Sequence, residues 1–489
     1  MNEKSTNKIN SSNQLVTETL GVKILLGDPK KAIIKLAIPM IIAMFIQTLY
    51  NFVDALWVSG FGADLFTSVK VTETGKFALA AVGYVFPLYM ILFSISTGLG
   101  LGAGSAISRK IGAKNKEDAD NVAIHSIIIS FLIAIIFTVM LYFFSDIIFI
   151  WIGAGESLYL ATVYGKILFA GSVIVFFTNI AYAILRAEGD AKRTMYAIII
   201  GATTNIILDP IFIYTFRLGV AGAAYATILS MLLTSLILIY WLFFKKDTYI
   251  SFKFKNFKFK KEIIIDIFDV GLPASFQQLS LSITMLIINF IIVNVALAGD
   301  NGIAVYSTGW RVVQMAILPM LGLATAIVSV TGAAFGAKDY KKLNTAFMYS
   351  IKFGLFIEII IALLTFLLAP YITIIFTTGE GSVEIVNDLE MFLQIVCLFY
   401  PGAAIGIASS SLFQGIGKGL YSLLTTLLRT ITLTPILAVT FCCLFNSGLI
   451  GIWWAIVLAN LIGSLISFIL AKFIIYRLNK YNSRKNIIT

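Results

Sequence analysis

Histidine, cysteine and charge are scarce in this sequence: one His, three Cys and only 12% charged residues among 489 positions. Each shortage excludes something. A hydrolase or transferase centre resting on His, Cys or clustered carboxylates has almost nothing to be assembled from, so no enzyme is expected. Cys397, Cys442 and Cys443 all fall inside apolar runs; a disulfide framework is excluded, and the redox compartment cannot be read from them. The first 32 residues lack the apolar core of about 7–15 residues that a cleavable signal peptide needs. The first hydrophobic span is therefore expected to act as the insertion signal. A G-x-x-x-x-G-K-[ST] phosphate loop is missing too. The nearest text, Gly415-Ile-Gly-Lys418-Gly, has the wrong spacing and no hydroxyl, which excludes an ATP-driven pump.

What is abundant is apolar surface. Hydrophobic residues make up 59% of the chain, against an ordinary share of roughly 45–50%, and the mean hydropathy is +0.94. The uncharged stretches Phe77 to Ser108 and Thr430 to Ala471 run for 32 and 42 residues, whereas about 20 apolar residues already cross a bilayer as a helix. The alternating segments of a β-barrel are not seen. The expected fold is an all-α polytopic membrane protein. Breaks at charge clusters, Gly/Pro pairs and Asn/Asp turns give twelve spans, at about 33–60, 77–108, 121–145, 158–187, 192–216, 219–244, 263–298, 302–335, 345–368, 384–414, 419–445 and 449–477.

The net charge of +11 is a topology signal. Of 36 basic residues, 29 fall in the N-terminal tail, the C-terminal tail and the loops after even-numbered spans; the opposite loops hold Lys70, Lys76 and Arg217. Basic residues are retained on the cytoplasmic side, so both termini are expected in the cytoplasm of a multi-pass cell-membrane protein, with no nucleic-acid partner. Losing or adding one helix would scramble the asymmetry.

The chain also repeats itself. Residues 245–262, KKDTYISFKFKNFKFKKE, form a basic linker between two similar halves. Pro39 answers Pro273. Gly98-Leu99 and Gly112-Ala113-Lys114 answer Gly322-Leu323 and Gly336-Ala337-Lys338, and Gly189 and Lys192 answer Gly415 and Lys418. Pro210 answers Pro435, and Gly219-x-x-Gly222-x-x-x-Ala226 answers Gly448-x-x-Gly451-x-x-x-Ala455. Six spans per half is even, so the halves enter the membrane in the same sense. Parallel repeats are a transporter architecture, with the path between lobes. The expected organisation is a polar tail over 1–32, a six-helix lobe over 33–244, the linker, a second six-helix lobe over 263–477 and a basic tail over 478–489.

Ionisable groups at membrane depth are costly and mark function. Asp54 closes Gln47-x-x-Tyr50-x-x-x-Asp54 on span 1, a spacing that brings all three onto one helical face. Asp209 closes Asn205-x-x-x-Asp209-Pro210 on span 5, where Pro210 cannot bond back to the carbonyl of Ile206. Thr227 on span 6 can add a hydroxyl. Two carboxyls among amide, hydroxyl and freed carbonyl oxygens suit a proton or a hard cation such as sodium. His125, near the start of span 3, reads as an interfacial residue, and Glu358 has no partner at three or four residues' distance.

Asp54-Ala-Leu-Trp-Val-Ser-Gly60, Asn205 to Asp209-Pro-Ile-Phe-Ile-Tyr214, the Gly-Val-Ala-Gly-Ala-Ala run at 219–224 and Ser307-Thr-Gly-Trp-Arg311 resemble the multidrug and toxic compound extrusion (MATE) transporters, most closely the DinF-like and archaeal members. The resemblance spans about 28–477. It implies two lobes around a central cleft and export of amphipathic organic cations in exchange for H+ or Na+, by a monomer with no cofactor and only small molecules and membrane lipids as partners. It places the cation site at Asp54, Asn205, Asp209 and Thr227, with Gln47 and Tyr50 beside them, and helix bends at Pro39 and Pro210. The branch with acidic residues on spans 7 and 10 is not matched: span 7 reads Gly271-Leu-Pro-Ala-Ser-Phe-Gln-Gln278. A lipid-linked saccharide flippase of similar build is the alternative, which Arg311, Lys352 and Arg429 keep open.

Overall fold

The computed structural model describes residues 19–60, 76–245, 247–253, 255, 257–376 and 385–488. Most of the predicted N-terminal tail and the loop positions 61–75 and 377–384, Lys70 among them, lie outside the described residues.

A short helix, α1 (Leu20–Leu26), precedes the first span, α2 (Pro29–Val58). The sequence sets this start earlier than hydropathy suggested, because Pro29 stands at the first helical position and Asp28 Oδ1 accepts from the amides of Lys30 and Lys31 at 2.8 and 3.2 Å. The remaining N-terminal elements are α3 (Lys76–Gly112), α4 (Lys116–Ile152), α5 (Leu158–Ala170), α6 (Ser172–Ala187), α7 (Ala191–Pro210) and α8 (Gly219–Ile239). After the linker come α9 (Lys261–Asn294), α10 (Gly299–Gly336), α11 (Tyr340–Phe376), α12 (Val386–Val396), α13 (Tyr400–Gly415), α14 (Gly419–Leu427), α15 (Thr434–Phe445) and α16 (Gly448–Ile488). Among the described residues eleven stretches are each long and apolar enough to cross a membrane, and α5 with α6, bent by 47° at Gly171, makes the twelfth. Several spans outlast their predicted limits, since polar caps such as Asn115 before α4 carry the helix beyond its apolar core.

The repeat is visible in backbone detail. Lys114 and Lys338 both close helices at φ 57°, and Gly219 and Gly448 both open them at φ 54°. Span 10 is broken by a 3-10 turn at Cys397–Phe399, the repeat counterpart of Gly171. Proline effects differ from span to span. The α-helix passes unbroken through Pro39, whereas Pro210 is followed by a π-turn over Ile211–Thr215. In span 11 the π-turn, Leu428–Leu433, comes before Pro435.

The lobes meet along α2 and α3 on one side and α9 and α10 on the other. Their crossings obey a pseudo-two-fold. A Cβ on Gly112 would lie 1.9 Å from the carbonyl oxygen of Ala333, and one on Gly336 would lie 1.9 Å from that of Arg109, its repeat counterpart. Gly98 similarly abuts Ser275, and Gly322 abuts Ile41. Glycine is needed at these four positions because backbones touch there. All of these contacts, with every hydrogen bond between lobes among the described residues, lie in the half that carries the basic loops. That half is closed.

The linker is docked rather than free. Asn121 Nδ2 donates to the Lys258 carbonyl at 2.8 Å, and the Tyr249 and Ile250 amides donate to Glu188 Oε2 at 2.8 and 3.1 Å. His125, near the basic-loop end of α4, is buried under the linker: its Nε2 accepts from the Lys260 amide at 3.2 Å, and Phe257 and Phe259 pack on its ring.

Candidate functional site

The polar side chains predicted on spans 1, 5 and 6 converge near the ends of α2 and α7, in the half away from the basic loops. Asp54 lies one turn before the end of α2, and Asp209 immediately precedes the proline that ends regular α-helix in span 5. Their carboxyl groups face one another in side-chain contact. Asn205 Nδ2 joins them to span 6, donating to Asp209 Oδ1 at 3.3 Å and to Thr227 Oγ1 at 3.5 Å. Asp209 is fully buried and Asn205 is 1% exposed. Asp54 Oδ1, Asp209 Oδ2 and Asn205 Oδ1 are buried oxygens with no hydrogen-bond donor among the described residues.

Those three oxygens with the Thr227 hydroxyl make a hard-oxygen set. Two carboxylates in contact repel unless something positive lies between them, so the arrangement suits uptake of a proton or a small cation. Among the described residues no group of three His, Cys, Asp or Glu side chains clusters as a transition-metal site would require.

The tyrosines around the pair are only partly legible in the sequence. Tyr50, predicted from its spacing, lies within electrostatic reach of both carboxyls; Tyr164 of α5 also feels both and Tyr89 of α3 feels Asp54, and no local motif announces these two. Tyr214 closes the outer end by donating its hydroxyl to the Trp57 carbonyl. The two rings also meet edge to face, with centroids 6.3 Å apart, so the aromatics three residues after Asp54 and five after Asp209 pack on one another. Gln47 shares the helical face but makes no hydrogen bond among the described residues and stands two turns away from the pair.

In the second lobe the repeat counterparts of Asp54 and Asp209 are the uncharged Ile288 and Thr434, the latter donating its hydroxyl to the Arg429 carbonyl at 2.8 Å, and the polar cluster of that lobe lies elsewhere and is neutral. Gln277 Nε2 donates to Ser410 at 3.1 Å and to Thr426 at 2.9 Å, while its Oε1 accepts from Gln414 and Ser422, each at 3.0 Å. The flippase alternative needs basic residues lining the cleft. Arg311 and Lys352 are exposed, and Arg429, instead of reaching a helix end, is wedged between Gly406 and Gly463 inside the lobe. Sequence reasoning missed Arg109. Its Nη2 meets Asp266 Oδ1 at 2.6 Å across the lobes and its Nη1 donates to Ser105 Oγ at 2.5 Å; Ser105 in turn donates to the Gln414 carbonyl. The available signal was an arginine whose repeat counterpart, Ala333, is small.

Comparison with known proteins bears on the family and the fold. The MatE family model matches residues 39–211 and 273–440. The chain is 27% identical over 431 residues to the multidrug export protein MepA of Staphylococcus aureus (strain MRSA252), covering 88% of this chain and 90% of that protein. A crystal structure of MATE in complex with MaL6 superposes with a TM-score of 0.89 at 43% identity, covering 94% of this chain and 100% of that one. A MOP superfamily transporter from Pyrococcus furiosus, described for the reverse polarity of its binding pocket, gives 0.88 at 43% identity, covering 94% and 99%.

Proposed function

Because the chain belongs to the MatE family of membrane transporters, we propose that it is a secondary active multidrug exporter working by alternating access between its two lobes. Its substrates are amphipathic organic cations, and H+ or Na+ returns through the N-terminal lobe. The observation that carries this reading is the contact between the Asp54 and Asp209 carboxyls, buried with Asn205 and Thr227 in one lobe and absent from the other. The basic face is closed by the backbone crossings of α2 and α3 on α9 and α10, so the chain is in an outward-facing state if that face is cytoplasmic, as the charge distribution favours. Binding the ion neutralises the pair, relieves the repulsion between the two carboxyls where α2 packs on α7, and favours release of a competing cationic substrate. The protein acts in the cell membrane with both termini inside, as a monomer without a cofactor.

The test is efflux of ethidium, a lipophilic fluorescent cation, from proteoliposomes on which pH and sodium gradients are imposed separately. Wild type is expected to respond to one gradient, and Asp54→Asn and Asp209→Asn to neither while inserting normally. Gradient-driven efflux by either variant at the wild-type rate refutes the site; lack of response to both gradients in wild type refutes ion coupling.

A further inference from the structure

One buried carboxyl is left unused by this reading. Glu358 sits at the midpoint of α11, eighteen residues from either end of Tyr340–Phe376, or about 27 Å of helix each way at 1.5 Å per residue. Gly354, one turn earlier, packs on Met320 Sδ and the Cβ of Ala404. That face of α11 therefore looks into the C-terminal lobe, toward α10 and α13. Glu358 is fully buried there, and neither carboxyl oxygen has a hydrogen-bond partner among the described residues.

The surroundings are uncharged. Among the described residues no Lys, Arg, His, Asp or Glu acts on Glu358; α10 presents Met320, and α13 presents Tyr400 with Cys397 behind it. The Tyr400 hydroxyl has Cys397, Thr365 and Glu358 around it, and it too is buried without a hydrogen bond among the described residues. Tyr400 opens α13 directly after the 3-10 turn at Cys397–Phe399, where span 10 is broken.

Three physical points converge here. Buried polar atoms are nearly always paired, so an acid kept for packing alone has no reason to stand unpaired at mid-depth beside an equally unpaired hydroxyl. Discontinuous helices are where transporters handle coupling ions, because a break frees backbone groups and allows the two half-helices to move. The repeat position of Glu358 in the first lobe is Ala134, so the carboxyl is no remnant of the duplicated scaffold.

We propose that Glu358, with the Tyr400 hydroxyl as its partner, is a second proton-binding site, in the C-terminal lobe, loaded and unloaded as span 10 moves at its break during the transport cycle. The ligand is a proton rather than sodium: the two side chains offer three oxygens, while hard cations gather about six. Loading forms one O–H bond on the carboxylate with a proton from water on one side of the membrane; unloading breaks it and returns the proton on the other. The proposal rests on the chain being an ion-coupled exporter and adds a proton that Asp54 and Asp209 do not carry.

Infrared difference spectra between acid and alkaline buffer, recorded on the full chain in phosphatidylcholine vesicles, test it without requiring transport. Wild type is expected to show a titrating protonated-carboxyl band that disappears in Glu358→Gln and changes frequency in Tyr400→Phe. Proton release on binding ethidium should fall by a proton in Glu358→Gln but not in Tyr400→Phe. A wild-type band pattern retained in Glu358→Gln, or unchanged proton release, overturns the site. If Glu358→Gln does not fold, an unshifted band in Tyr400→Phe does the same. The infrared result reports on Glu358 even if ethidium efflux proves uncoupled, so the two readings fail separately.

Discussion

At the scale of the residue, the site is a matter of which oxygens remain free once the helices have packed. Asp54 and Asp209 supply the charge, whereas Asn205 and Thr227 supply neutral groups that also tie spans 5 and 6 together. Asn205→Ala is therefore expected to weaken ion-driven efflux by about tenfold, the scale of one lost hydrogen bond to a charged group, and Thr227→Ala, which loses only a bond to the neutral Asn205 amide, by less, against abolition in the aspartate variants; equal losses in all four would mean that the neutral groups are more than supporting ligands. Glu188 makes a different prediction. Burial between the N-terminal lobe and the linker, with Asp190 adding to it, raises this carboxyl from 4.5 to about 8, against the opposing pull of the Ile250 and Tyr249 amides and of Arg193. Lys116 is the other charged group close by. Below 4.5 both docked and undocked forms are protonated. Between 4.5 and about 8 only the undocked form loses its proton, so docking weakens as pH rises, and above about 8 it no longer changes. A spin label at residue 253 should become more mobile across that window in wild type and show a flat response in Glu188→Gln; a flat wild-type response refutes the linkage.

At the scale of the element, four glycines decide how closely the lobes approach. An alanine at Gly112 must displace the backbone at Ala333, because its Cβ would sit 1.9 Å from that carbonyl oxygen. Overpacking of this kind costs about 1–3 kcal/mol, which shifts a two-state equilibrium roughly 5- to 150-fold. Gly112→Ala is expected to populate the state open at the basic face, read as a longer distance between spin labels at residues 117 and 341, while Gly83→Ala, with nothing within 4 Å, leaves the distances unchanged. Asp266→Asn should push in the same direction but less, by about 1 kcal/mol or below, because Asp266 is one-third exposed and Arg109 keeps its bonds to Ser105 and Gly415. If Gly112→Ala leaves the closed distance intact, the crossing does not limit closure.

At the scale of the whole molecule, twelve spans and a charge bias require that residues 116, 255 and 341 share one side and residue 301 the other. Single cysteines at 116, 255 and 341 should react with a membrane-impermeant thiol reagent only when the cytoplasmic face is open to it, and one at 301 only from outside. Cysteines at 64 and 380 are expected to behave like 301, although both positions lie outside the described residues. One reversal would break the parity on which the topology rests.

Membrane insertion, the number of spans, the duplication and the parallel sense of the two halves were legible in the sequence, because they depend on apolar run length, loop charge and colinear Gly and Pro, all of which are local or periodic. The Asp54, Asn205 and Asp209 set was legible too, since helical spacing and Pro210 act within a turn or two. The contacts that depend on how separate helices cross were not. Arg109 finds Asp266 only because α3 meets α9, His125 is buried only because the linker folds back over α4, and Tyr89 and Tyr164 reach the carboxyl pair from spans with no motif of their own. Glu358 shows the division most plainly: the sequence placed a charge in the middle of a span, and only the packing of α11 on α10 and α13 decided that it faces the interior of the lobe with nothing to bond to.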